Sequence, residues 1–93
     1  MTMRSVRIRI EGRVQGVAFR DWMQSQVRSL GLAGWVRNRR DGSVEAVISG
    51  DPELVDDMLT RCRQGPPAAR VSNLAILSET DESFADFEIR PTA

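Results

Sequence analysis

The order of apolar patterns along these 93 residues predicts an α+β fold of the ferredoxin-like, split βαββαβ type, a mostly antiparallel sheet with two helices on one face. Three observations predict it. An alternating strand precedes an amphipathic helix, an Asp-Gly turn joins two further strands, and a second helix leads to two weaker strands. The last strand would add an edge to the sheet. The length suits a single domain spanning residues 1–93.

The first strand and the first helix have the clearest patterns. Val6, Ile8 and Ile10 alternate with charged residues, which is typical of a strand with one buried face. Apolar residues then recur at helical spacing over roughly Phe19–Leu30. Gly31 is expected to close this helix in the left-handed conformation.

The middle of the chain predicts a hairpin and a second helix. The strands Trp35–Asn38 and Ser43–Ile48 are separated by Arg39–Gly42, whose Asp-Gly pair favours a tight turn. Asp51 is expected to cap the second helix, with a proline at its first position, and the helix should stop before Gly65.

The end of the chain predicts two strands, Val71–Leu77 and Phe84–Ile89, around the polar turn Glu79–Ser83. The sheet face without helices should be water-exposed and free of aromatic side chains. Its expected residues are Arg7, Arg9, Glu11 and Glu45.

Composition restricts the chemistry. Thirteen basic residues balance thirteen acidic ones, so any positive site must be local. All thirteen are arginines, and the chain has no lysine, histidine or tyrosine, which excludes Schiff bases, phosphate-loop lysines and the usual neutral-pH proton carriers. Cys62 is the only cysteine, and the N-terminus lacks a signal-like apolar run, so we expect a cytoplasmic protein without a membrane span.

A candidate anion site follows the first strand. A loop bracketed by Gly12 and Gly16 delivers Arg20 to a helix N-terminus, where free backbone N–H groups and a guanidinium both attract phosphate. In the predicted topology the first and second strands are parallel, so Asn38 should lie near Arg20. A carboxamide could hold an attacking water without repelling phosphate. Without histidine, the leaving group must be a weak base, which favours an acyl phosphate.

Two motifs resemble those of the acylphosphatase family. The run Ile10–Arg20 is similar to its first motif, and Gly34–Asn38, followed by Gly42, Val44 and Gly50, is similar to its second. The resemblance covers essentially the whole chain. It implies a small monomeric hydrolase that cleaves the carboxyl-phosphate bond of a small-molecule acyl phosphate without metal or cofactor.

Carried over residue by residue, the resemblance makes Arg20 the phosphate-binding arginine and Asn38 the residue that positions the water. The substrate-binding residues would be Gln15, Gly16, Val17, Ala18, Phe19 and Arg20. Gln15 would act through its backbone amide, with a loosely constrained side chain. Ala18 stands where many relatives have glycine or a larger residue, and a tyrosine after Arg90 is missing, so loop flexibility and packing of the last strand could differ.

Two alternatives stay open. The chain could be a non-catalytic module that binds an anion or RNA, since ferredoxin-like domains also bind RNA, but they do so on exposed sheet aromatics that the outward positions here lack. The chain could also be a carbamoyl-phosphate-processing domain of a larger protein, although no cysteine-rich segment follows in this sequence. We expect no nucleic-acid or membrane partner. Among other candidates, Cys62 should be a core residue, and Glu53, Asp57 and Arg61 a solvated helix face. Arg37, Arg39 and Arg40 should be a solvated hairpin surface, with attraction of anionic substrates as the alternative.

Overall fold

Two helices pack on one face of a five-stranded sheet in the computed structural model of the protein, which describes residues 3–93. Met1 and Thr2, the start of the segment without a signal-like pattern, lie outside the described residues. The elements are β1 (Arg4–Arg13), α1 (Phe19–Ser29), β2 (Ala33–Asn38), β3 (Val44–Gly50), α2 (Pro52–Gln64), β4 (Arg70–Thr80) and β5 (Phe87–Ile89).

The strand order in the sheet is β4-β1-β3-β2-β5. β3 is antiparallel to both β1 and β2, so these two strands run in the same direction, as predicted. The last strand adds a parallel edge beside β2. This topology confirms the predicted fold class, and it brings the loop after β1 and the end of β2 to one edge of the sheet.

A shared hydrophobic core joins the helices to the sheet. β1 and β3 bury every second residue against it, and each helix contributes one apolar face. Fully buried core side chains include Ile8, Ile10, Met23, Ile48, Met58 and Phe87. Cys62 belongs to this core, as predicted, and burial raises the pKa of its thiol to about 12.

The predicted helix ends are confirmed. The carboxylate of Asp51 accepts a hydrogen bond from the Glu53 N–H at 2.9 Å, and Pro52 occupies the first turn of α2. At the end of α1, Gly31 has a φ of 69°, in the left-handed region that favours glycine.

The boundaries of the last two strands were predicted wrongly. β4 continues to Thr80, which includes the start of the expected polar turn, and β5 begins only at Phe87 instead of Phe84. Asp86 explains the late start: its carboxylate accepts a hydrogen bond from the Phe87 N–H at 2.7 Å and pairs with Arg28. These hydrogen bonds, led by the one from Arg28, lower the pKa of Asp86. The side chain therefore holds the residues before Phe87 in a bend.

The description of the helix-free face also needs correction. Glu45 is only 3% exposed, because Arg7, Arg37 and Arg39 surround its carboxylate. Trp35 lies on the same face and is 7% exposed, so the face does carry an aromatic ring. The Arg37 and Arg90 guanidinium carbons lie 4.9 and 4.7 Å from the centre of this ring. Long arginine stems therefore cover both the carboxylate and the indole.

Glu45 should contribute to stability in a pH-dependent way. Burial alone would raise the pKa of its carboxyl, but hydrogen bonds and charges from Arg7 and Arg37 outweigh burial and lower the pKa below its ordinary value. A group with a lowered folded-state pKa stabilises the fold above its unfolded pKa of about 4.3, and this contribution is lost as the pH falls through the folded-state pKa.

We therefore expect Glu45→Gln to lower the free energy of unfolding at pH 7 by about 1.5–3 kcal/mol, the usual worth of hydrogen bonds to a charged group. The difference from wild type should shrink as the pH falls below about 4. Urea unfolding at several pH values measures it. Glu88→Gln is the control, because that carboxylate is 67% exposed and pairs only loosely with Arg90. A difference between wild type and Glu45→Gln that stays constant with pH would contradict the prediction.

Candidate active site

The loop of residues 14–18, between β1 and α1, has an unusual backbone path. Val14 and Val17 anchor it in the core, with 1% and 8% of their surfaces exposed. Gly16 and Ala18 both adopt left-handed conformations, with φ values of 73° and 62°. Ala18 is the only non-glycine residue with a positive φ in the described chain, which costs about 1–2 kcal/mol. The loop therefore pays a conformational cost for its shape.

This path leaves a row of backbone donors free at the start of α1. The first helical hydrogen bond runs from the Trp22 N–H to the Ala18 carbonyl at 3.0 Å. The N–H groups of residues 16–21 donate to no described residue, and Ala18, at the N-cap position, offers no side-chain acceptor. Together with the helix dipole, such free donors make an anion-binding site.

Gly12 does not belong to the anion loop, contrary to the sequence interpretation. It lies within β1, where the pairing with β4 shifts register. A Cβ atom there would lie 2.1 Å from the Arg70 carbonyl oxygen and 2.7 Å from the Ser72 nitrogen. Gly12 therefore permits a close approach of two strands, and Gly16 is the glycine that shapes the loop.

Arg20 stands at the second position of α1 and lines a pocket beside the loop. It is half-buried, and its guanidinium forms no ion pair or hydrogen bond with any of residues 3–93. Asp21, an acidic residue in the first turn of α1, lines the same pocket and forms no hydrogen bond or ion pair with Arg20. Arg20 therefore has its full donor capacity available to an anion.

Asn38, the last residue of β2, lines the same pocket. Its Oδ1 atom is buried, yet it accepts no hydrogen bond from any described residue, and it is the only such side-chain atom among them. Buried acceptors are normally satisfied, so an unpaired one in a residue that lines a pocket indicates a position for water or ligand. The Asn38 carbonyl is fixed separately, by the Ala93 N–H at 3.1 Å.

The pocket has a volume of about 200 Å³, which suits a small substrate. It brings together most of the residues proposed from the sequence, namely Gln15, Gly16, Ala18, Phe19, Arg20 and Asn38. Val17 does not line it, because its side chain packs in the core. Val14, Asp21 and Ile89 also line the pocket, and sequence reasoning had not assigned Val14 and Ile89 to it. Ile89 enters because β5 pairs with β2, a long-range contact that the local pattern does not specify.

One expectation about a neighbouring side chain was wrong. The Gln15 side chain is not loose: its Nε2 donates to the carbonyls of Arg39 at 2.7 Å and Ser43 at 2.9 Å. Arg37 and Arg39 both hydrogen-bond to Glu45 on the helix-free face of the sheet, and neither lines the pocket. Among the described residues, Arg20 is the arginine that does.

Comparisons with known proteins point to one family. The acylphosphatase family model matches residues 6–89. An acylphosphatase from Nitrobacter hamburgensis is 54% identical over 82 residues, which cover 88% of this chain and 81% of the relative. One from Rhodospirillum rubrum is 44% identical over 90 residues, covering 97% and 99%. A solved acylphosphatase structure from Coxiella burnetii superposes with a TM-score of 0.90 at 34% identity, covering 95% of this chain and 93% of that one.

The fold, the anion pocket and these matches define a small phosphohydrolase domain, and the chain belongs to the acylphosphatase family. It is an enzyme that hydrolyses acyl phosphates. Within residues 3–93, no helix is long and apolar enough to span a bilayer.

Proposed function

We propose that the phosphoryl group binds at the loop of residues 14–18, with its oxygens on the backbone N–H groups of residues 16–20 and on the Arg20 guanidinium. The Asn38 Oδ1 atom then accepts a hydrogen bond from the attacking water. Phosphoryl transfer needs positioning and charge stabilisation more than covalent help. Free amides, one guanidinium and one carboxamide supply both.

The reaction balances without a protein acid. Water forms a bond to phosphorus while the bond from phosphorus to the carboxylate oxygen breaks, and the protons of water remain on the phosphate formed. An acyl phosphate dianion and water thus give a carboxylate and dihydrogen phosphate. Because a carboxylate is a weak base, it leaves without protonation, which fits a chain that has no histidine.

One observation carries this proposal: Arg20 and Asn38 line the same small pocket, and among residues 3–93 neither the Arg20 guanidinium nor the buried Asn38 Oδ1 has a hydrogen-bond partner. Eighteen positions separate these residues in the sequence, and only the topology of β1, β3 and β2 brings them together. A merely structural arginine or asparagine at such a place would be expected to have a protein partner.

The proposal also covers the oligomeric state, the cellular location and the partners of the enzyme. The chain acts as a single domain and a monomer in the cytoplasm, on a small-molecule acyl phosphate, without metal, cofactor or nucleic acid. The shared core of both helices and the sheet supports a single domain. Against an RNA-binding function, Trp35 lies beneath two arginine side chains, so its ring is not available for base stacking.

Phosphate release from acetyl phosphate, measured with and without an excess of chelator, tests this function. We expect the same turnover in both conditions, since no step assigned here uses a metal. An alkyl phosphate is the control substrate: it should react far more slowly, because its alkoxide leaving group needs an acid that the pocket does not provide. Turnover that disappears with chelator, or equal rates on both substrates, would contradict the mechanism.

A further inference from the structure

The side chain of Gln15 joins the two halves of the active site. Gln15 belongs to the phosphate-binding loop, and its Nε2 group donates to two backbone carbonyls at the ends of the turn between β2 and β3. The accepting residues are Arg39, which directly follows Asn38, and Ser43. A carboxamide nitrogen has two N–H donors, so one side chain satisfies both carbonyls.

No other hydrogen bond among the described residues connects loop 14–18 to turn 39–43. The loop is otherwise held by its chain connections to β1 and α1 and by the packing of Val14 and Val17 in the core. The two bonds of Gln15 are therefore the direct hydrogen-bonded link between the loop amides and the turn that follows Asn38.

The turn to which Gln15 donates is itself held by several hydrogen bonds. The Arg39 N–H donates to the Ser43 carbonyl at 2.8 Å, and the Gly42 N–H donates to the Arg39 carbonyl at 3.1 Å. Asp41 accepts hydrogen bonds from both the N–H and the Oγ of Ser43, which lowers the pKa of its carboxyl. Gln15 thus connects the loop to a pre-formed turn that continues directly into Asn38.

We propose that Gln15 is a positioning residue, which sets the separation between the bound phosphoryl group and the water held by Asn38. This inference rests on the proposed function of Arg20 and Asn38. Phosphate affinity depends on the loop amides and on Arg20, which belong to one continuous segment of the chain. In-line attack depends instead on the distance between this segment and the turn that follows Asn38. A displacement of about 1 Å can cost about a hundredfold in rate.

Gln15→Leu removes both hydrogen bonds and puts an apolar side chain of similar length in place of the carboxamide. We expect kcat for acetyl phosphate to fall about ten- to a hundredfold, while the inhibition constant of inorganic phosphate changes less than about threefold. Gln24→Leu is the matched control, because its Nε2 also donates to a backbone carbonyl, that of Phe87 at 2.9 Å, outside the pocket. That variant should keep wild-type kcat.

Gln15→Glu supplies a second readout that mere loss of stability would not move. Ionised, this side chain offers no donor to the two carbonyls; protonated, it can donate to one of them. Its kcat relative to wild type should therefore rise as the pH falls from about 6 to about 4, through the ordinary range of a glutamate pKa. The same ratio for Gln15→Leu should stay flat. If Gln15→Leu does not fold, the pH profile of Gln15→Glu alone carries the test.

Wild-type kcat in Gln15→Leu would overturn the inference, as would equal losses of kcat and phosphate affinity, or a flat pH ratio for Gln15→Glu. These results differ from failure of the proposed function itself. In that case Arg20→Ala or Asn38→Ala would retain activity, whatever the behaviour of the Gln15 variants.

Discussion

Replacing Arg20 by alanine should lower kcat/KM for acetyl phosphate by about 10³- to 10⁵-fold, the range found when an arginine that stabilises phosphoryl transfer is removed. Phosphate affinity should fall as well, by about 1.5–3 kcal/mol or about ten- to a hundredfold. The fold should persist, because the Arg20 side chain bonds to none of residues 3–93. Steady-state kinetics and competitive inhibition by inorganic phosphate measure the two effects.

Two variants sharpen this prediction. Arg20→Lys retains the charge but loses the planar fork of donors, so it should recover only part of the phosphate affinity. Arg63→Ala removes an exposed arginine of α2 that is outside the pocket and should leave both constants unchanged. Wild-type phosphate affinity in Arg20→Ala would show that the anion binds elsewhere.

Asn38→Ala should lower turnover while leaving phosphate binding largely intact. We expect kcat to fall about 10²- to 10³-fold, or about 3–4 kcal/mol of transition-state stabilisation, by comparison with other preorganised polar groups. Phosphate affinity should be largely retained, since the loop amides and Arg20 remain in place. Because the Asn38 Oδ1 has no partner among residues 3–93, its removal leaves no described donor unpaired, and the free energy of unfolding should not fall.

Asn73→Ala is the matched control for this experiment. Asn73 is an exposed residue of β4, and its side chain hydrogen-bonds only to Glu11, at 3.4 Å, among the described residues. Its kinetics should match those of wild type. Parallel loss of turnover and phosphate affinity in Asn38→Ala would mean that this carboxamide binds the phosphoryl group and does not position water.

The fold was predictable because local sequence patterns indicate most of its strands and helices. The alternation of Val6, Ile8 and Ile10 specifies a strand with one buried face, and the cap at Asp51 specifies where α2 begins. The Asp-Gly turn then forces β2 and β3 to pair, which leaves few ways to connect the remaining elements. These signals sufficed to place Arg20 and Asn38 at the same edge.

The helix-free face was predicted poorly because its burial comes from side chains of the neighbouring strands in the sheet. Glu45 reads as a polar outward residue in β3, but arginines from β1 and β2 converge on it only after the sheet has formed. Arg90, which covers Trp35, follows β5 and contacts β2 from the far edge. A period of two identifies which face a residue occupies, and it says nothing about what covers that face.

Most residues that line the candidate site could be named from the sequence, whereas their geometry could not. The two sequence motifs identified Arg20 and Asn38 as candidates. The left-handed backbone of Ala18 and the free N–H groups depend on torsion angles that no side-chain pattern encodes. Gln15 was misjudged for a related reason: its partners are backbone carbonyls, which every residue possesses. Only the fold determines which carbonyls come within its reach.

Titration of isotopically labelled protein with inorganic phosphate, followed by the NMR signals of backbone and side-chain amides, tests most directly whether Arg20 and Asn38 share one phosphoryl pocket. The account predicts that the amides of residues 16–20 and the Asn38 carboxamide shift together, with one dissociation constant, and that Arg20→Ala weakens both responses equally. Shifts confined to the loop, or centred on the arginines around Glu45, would contradict it.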